Sequence, residues 1–174
     1  AGAADPWRMG GSTRLQQLAL SPQPANQLFS PVIVGSDDID RDGKSDLVFR
    51  APLDSSISFW LMNGATMMSA TKIATVPDLG YRVVGVADHT GDGKADILWW
   101  HNRRGEVWMW PMDGATPVAE ARVATVPDTG YQIQGVADFT GDGKADLLWH
   151  HATRGEVWIW TMNGPTRESE TWVN

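Results

Sequence analysis

The segment Val-Ala-Asp-x-Thr-Gly-Asp-Gly-Lys-Ala-Asp at 86–96 returns at 136–146, fifty residues later. The interval holds well beyond the segment. Trp99, Trp108 and Trp110 answer to Trp149, Trp158 and Trp160, and Asp113-Gly114 answers to Asn163-Gly164. A more divergent copy, Asp38-Ile39-Asp40-Arg41-Asp42-Gly43-Lys44-Ser45-Asp46, precedes them at the same interval, followed by Trp60 and Asn63-Gly64. The linker Ala-Thr-Val-Pro-Asp-x-Gly-Tyr occurs at 74–81 and again at 124–131. A chain of near-identical units folds as one repeated motif whose members bury their faces against one another. The units expected are 33–82, 83–132 and 133–174. Residues 1–32 match none of them and read as an N-terminal extension or linker, with Trp7 and the leucines expected to dock on a unit edge or a partner.

Each unit reads as four short strands, so the expected class is all-β. In the second unit, Val83–Ala87 leads into the acidic loop, and the nearly continuous apolar run 96–101 follows. A turn at 102–105 precedes Glu106–Trp110, Asp113-Gly114 has the form of a hairpin turn with positive φ at both central positions, and 117–126 completes the unit. Strands apolar on both faces need cover on both faces. Stacked four-stranded sheets provide it, and units of roughly 40–50 residues suit propeller blades. The expectation is therefore three four-stranded β-propeller blades, an incomplete propeller or part of a larger or oligomeric one. Trp108 and Trp110, two apart on a strand, share a face and Met109 takes the other. Such tryptophans are expected to fill the gaps between blades rather than form exposed platforms.

The loops have the form Asp-x-Asp/Thr-x-Asp-Gly-x-x-Asp. Hard divalent cations take six to eight oxygens at about 2.3–2.6 Å, which closely spaced carboxylates supply. Expected ligands in the first loop are Asp38, Asp40, Asp42 and Asp46, with the carbonyl of Lys44 and a bend at Gly43. The second loop offers Asp88, Thr90, Asp92, Lys94 and Asp96, and the third Asp138, Thr140, Asp142, Lys144 and Asp146. Each threonine removes one negative charge, so the second and third sites are expected to bind more weakly. An EF-hand would place an acid at its twelfth position, where this chain has Phe49, Trp99 and Trp149. Zinc is disfavoured because neither cysteine nor clustered histidine accompanies the loops. Plain Asp/Gly turns are the alternative, but a turn does not require mutually repelling acids at fixed spacing.

On these loops, and on the later Trp-x-Trp and Asn/Asp-Gly segments, residues 33–174 resemble the bacterial FG-GAP/VCBS repeat, related to the calcium-binding blades of integrin α-subunit propellers. The resemblance implies a β-propeller with Ca²⁺, up to three ions here, in the loop between the first two strands of each blade. It also implies a secreted, extracellular, cell-surface or periplasmic setting. Relatives typically close with about seven blades, and three cannot close a ring. A protein partner or a second copy is therefore expected to cover the open blade edges.

Composition agrees with this reading. Eleven of the 21 acids lie at 37–46, 88–96 and 138–146, so the net charge of −7 is concentrated where cations are expected. The acid excess opposes nucleic-acid binding, and no apolar run approaches the roughly 20 residues of a membrane span. There is no cysteine to form disulfides. Ala1 suits a processed secretory N-terminus and an excised fragment equally. His101 and His151 recur without a nucleophile motif and are expected to be structural, and no catalytic residue is assigned. Arg104-Gly105-Glu106 and Arg154-Gly155-Glu156 could bridge a hairpin or contact a ligand. The expected function is a non-catalytic calcium-binding scaffold or protein-interaction module. The alternatives are a lectin-like propeller holding a glycan between blades and an accessory segment of a secreted hydrolase or lyase.

Overall fold

The computed structural model describes residues 32–173. The expected docking of the N-terminal extension thus falls outside the described residues, apart from Val32. The described chain is all-β and antiparallel. Strands β1 (Val32–Asp37), β2 (Asp46–Arg50), β3 (Ser56–Asn63) and β4 (Thr66–Thr75) form the first sheet in that order. The second consists of β5 (Tyr81–Ala87), β6 (Asp96–His101), β7 (Glu106–Trp110) and, beyond the two-stranded ladder of β8 (Met112–Asp113) and β9 (Thr116–Pro117), β10 (Ala121–Thr125). The third contains β11 (Tyr131–Ala137), β12 (Asp146–His151), β13 (Val157–Asn163) and β14 (Thr166–Trp172). None of the sheets closes on itself.

The second sheet departs from its neighbours along its outer edge. In the first and third sheets the outer pair includes Leu61↔Ser69 and Thr161↔Ser169. The residue equivalent to Leu61 and Thr161 is Pro111, which has no N–H to donate, and a second proline, Pro117, lies opposite Met112 on the edge strand. The pairing accordingly breaks into β7 with β10 and β8 with β9, leaving residues 118–120 out of the ladder. The hairpin tips also differ from expectation. Asp113 pairs with Thr116, so the two-residue loop is Gly114-Ala115, and only the glycine has positive φ, 58°. That is the pattern of a II′ turn, whose first central position needs glycine, rather than I′.

Two apolar layers hold the sheets together. Val48, Ile57 and Phe59 of the first sheet pack with Ile97, Trp99 and Trp110 of the second. On the opposite face Leu98, Val107 and Met109 meet Leu147, Trp149 and Trp160 of the third. All six residues of β6 are buried, its apolar centre Ile97–Trp100 covered on both faces. Trp108 and Trp110 lie on one face and Met109 on the other. The innermost strands run side by side, β1 against β5 and β5 against β11. Glycine permits this approach: a Cβ on Gly35 would lie 2.3 Å from the Val86 side chain, and one on Gly85 would lie 2.5 Å from Val136.

Candidate metal centre

The three acidic loops join the first and second strands of their sheets, at 38–45, 88–95 and 138–145. Each loop coils around its first aspartate. Asp38 accepts the backbone N–H of Asp42 at 3.1 Å and of Gly43 at 2.9 Å, and Asp40 accepts that of Asp42 at 3.1 Å. In the second loop Asp88 accepts from Gly91 and Gly93 at 2.7 and 2.6 Å. Asp138 accepts from Gly141 and Gly143 at 2.6 and 2.9 Å. These N–H groups hold the Asp138 carboxyl below its ordinary pKa.

The first loop brings Asp38, Asp40 and Asp42 together, with one carboxylate oxygen from each lying within 4.8 Å of the others. Oxygens about 2.4 Å from one shared cation can stand no farther apart than this, so the donor set fits a hard divalent ion. In the second and third loops the hydroxyls of Thr90 and Thr140 lie 3.5 Å from Asp88 and Asp138. There a neutral hydroxyl stands beside the leading aspartate where the first loop has a carboxylate, and among the described residues only the first loop gathers three carboxylates. Lys44 pairs with Asp42 at 2.5 Å and lowers its pKa. Lys144 stands 3.9 Å from Asp142, whereas Lys94 reaches out of its loop to Asp113 at 2.7 Å. Asp37, next to Asp38, has a pKa raised by burial and further by the charges of Asp38 and Asp88.

The ninth-position aspartates have a role that their spacing did not disclose. Asp46 is buried, and its two oxygens accept the N–H groups of Ile39, in the loop, and Met62, at the end of β3. Asp96 does the same with His89 and Met112, and Asp146 with Phe139 and Met162. Each therefore clamps the loop to the third strand. A carboxylate has about four lone-pair sites, so this leaves acceptor capacity for an ion. Burial pushes the Asp96 carboxyl up to about 6, against the lowering effect of the Met112 and His89 N–H groups.

The loops also touch one another. Ala95 N–H donates to the Asp38 carbonyl at 3.3 Å, and Ala145 N–H to the Asp88 carbonyl at 2.7 Å. His89, wholly buried, places Nδ1 2.7 Å from the Ala145 carbonyl. The candidate sites thus form one connected row. The residue after each leading aspartate fills the space toward the next unit: Ile39 and His89 are fully buried, while Phe139, with no described sheet beyond it, is 45% exposed.

A second repeated constellation lies around the linkers. Tyr81 donates to Glu106 at 2.5 Å, and Arg104 bridges Glu106 at 3.2 Å and Asp78 at 2.8 Å. His101, buried, accepts the backbone N–H groups of Arg103 and Arg104 at Nδ1 and approaches Asp78 through Nε2 at 3.4 Å. Tyr131, Glu156, Arg154, Asp128 and His151 repeat the set. The Arg-Gly-Glu turns therefore do bridge their hairpins, and in addition anchor the linker. The signal available in the sequence was the linker Pro-Asp-x-Gly-Tyr recurring in phase with His101 and Arg104.

Residues 38–99 and 88–149 each match the FG-GAP-like repeat. Each match runs from the head of one acidic loop to the second strand of the following unit, and together they span more than half of the chain. The chain belongs to the FG-GAP-like repeat family. No curated protein matches it.

Proposed function

We propose that this chain is a non-catalytic calcium-binding β-propeller module, its three sheets serving as blades at 33–82, 83–132 and 133–174, and that it works outside the cytoplasm as a scaffold or protein-interaction subunit. The observation that carries this reading is the row of three oxygen-rich loops, the first with three carboxylates gathered at cation-binding distances. Calcium would be held by Asp38, Asp40, Asp42 and Asp46, and correspondingly by the aspartates and threonines of the other loops, with the carbonyls of Lys44, Lys94 and Lys144 completing the sets. Its contribution is structural, because it offsets carboxylate repulsion in loops that hydrogen-bond from one unit to the next. Affinities of about 10⁻⁴–10⁻³ M, typical of extracellular modules, suffice for that purpose. The histidines support a non-catalytic reading, since His101 and His151 are committed to turn and linker contacts.

The interaction role rests on the far face of the third sheet. Leu148, Val157 and Ile159 are half-buried there, whereas their equivalents Leu98, Val107 and Met109 are fully buried against the next sheet. That face calls for a further sheet of the same kind, from the same polypeptide, a second copy or a different subunit. Differential scanning calorimetry with calcium and with chelator tests the metal reading. Stabilisation should follow the mass-action dependence on free calcium. Identical melting temperatures with no metal in the native protein would sink it.

A further inference from the structure

Between the first and second sheets lies a cleft of about 320 Å³, lined by Trp99, Trp108 and Trp110 and edged by Asp78 and Glu120. This volume is at the lower end of the range for ligand pockets. The equivalent place between the second and third sheets indicates which chemistry suits it. There the guanidinium of Arg167 lies over the Trp160 ring, 4.5 Å from its centroid, and pairs with Glu170 at 2.6 Å. Trp160 and Glu170 stand directly opposite each other on neighbouring strands. Fifty residues earlier the same pair occurs as Trp110 and Glu120, but the position of Arg167 is taken by Pro117. The aromatic face and the carboxylate are thus present without the cation that joins them in the third unit.

Further observations agree. Glu120 is exposed and has no ion-pair or hydrogen-bond partner among the described residues. The ladder is interrupted at residues 118–120, where Val118 donates its N–H to the Pro111 carbonyl at 2.8 Å, and Glu120 stands just ahead of β10 at the rim of the cleft. Two internal cations are nearby: Arg104, 5.3 Å from the Tyr81 centroid, is paired with Asp78 and Glu106, and the Arg50 guanidinium lies 5.8 Å from the Trp99 centroid. Arg50 is already held by the carbonyls of Tyr81, Val76 and Asp78, which leaves the Trp110 and Glu120 end without a cation. A guanidinium that stacks on an indole and pairs with a carboxylate gains from both contacts, and arginine is the side chain best built for that combination.

We propose that the Trp110–Glu120 end of this cleft is a docking site for an arginine side chain of a partner protein, occupying the place that Arg167 fills in the third unit. The proposal does not depend on the metal reading. The test titrates the protein with argininamide and with its uncharged analogue citrullinamide, in calcium and in chelator, while following the indole N–H signals of Trp108 and Trp110 by NMR. Argininamide should shift these signals saturably, with citrullinamide roughly tenfold weaker or worse. Glu120→Gln, a surface change, should remove that preference. Pro117→Arg, confirmed folded by its melting curve, should lower uptake by supplying the internal cation. Equal shifts from the two amides, no shift from either, or undiminished argininamide uptake in both variants would overturn the proposal. So would saturable binding of methyl glycosides in the absence of argininamide binding, which would make the cleft a sugar site.

Discussion

Ser55 occupies a backbone position that the other units give to glycine. Its φ is 56°, while the equivalent Gly105 and Gly155 have φ of 65° and 70°. A side chain in the left-handed region costs roughly 1–2 kcal/mol, so Ser55→Gly should stabilise the chain by about 1 kcal/mol in chemical denaturation. The reverse change distinguishes the two glycines. A Cβ at Gly105 would fall 1.8 Å from the Val126 carbonyl oxygen, whereas one at Gly155 meets nothing within 4 Å. Gly105→Ala should therefore lose about 2–4 kcal/mol, and Gly155→Ala only the smaller cost of the strained φ. In the acidic loops the residue that separates the sites is Asp40 against Thr90 and Thr140. Thr90→Asp restores the missing charge and should tighten calcium at the second loop roughly tenfold, read by titration calorimetry.

At the scale of elements, the loop, the second strand and the third strand meet at one buried carboxylate. For Asp96 the folded-state pKa of about 6 lies above the ordinary 3.8. Without metal, its contribution to stability is therefore fully present below pH 3.8 and is lost as pH rises toward 6. A ¹³C titration in chelator should give Asp96 a midpoint near 6, and saturating calcium should move it to lower pH by favouring the carboxylate. A midpoint that calcium leaves in place would separate Asp96 from the metal site. The strands and loops were legible in the sequence because their periodicity is side-chain chemistry: apolar cores Ile97–Trp100 in β6 and Leu147–Trp149 in β12, and acids at fixed spacing. The clamp was not legible, because Asp96 is answered by the backbone N–H of Met112, sixteen residues on, and a backbone donor leaves no trace in residue identity. The broken outer edge was written in Pro111 and Pro117, but what a proline does to a ladder depends on which strand lies opposite.

At the scale of the molecule, the second sheet is covered on both faces, while the far face of the third sheet carries half-buried apolar side chains among the described residues. Gly35 and Gly85 are pressed against Val86 and Val136, while a Cβ on Gly135 would meet only Leu148, its own sheet's residue, at 3.6 Å. Phe139 and the half-buried apolar side chains of β12 and β13 give the same report. The protein should therefore associate in a concentration-dependent way in sedimentation velocity, and a charge at Ile159 (Ile159→Glu) should abolish that association without unfolding the chain. A monomer at all concentrations would remove the case for a partner on this face. On the proposed function, calcium in the repeated loops is what joins these features into one molecule. Equilibrium dialysis against calcium at millimolar concentration measures its binding directly. Three ions per chain are expected at saturation, falling to two when Asp38 and Asp42 are both replaced by asparagine. No calcium bound above the chelated control would contradict the metal reading.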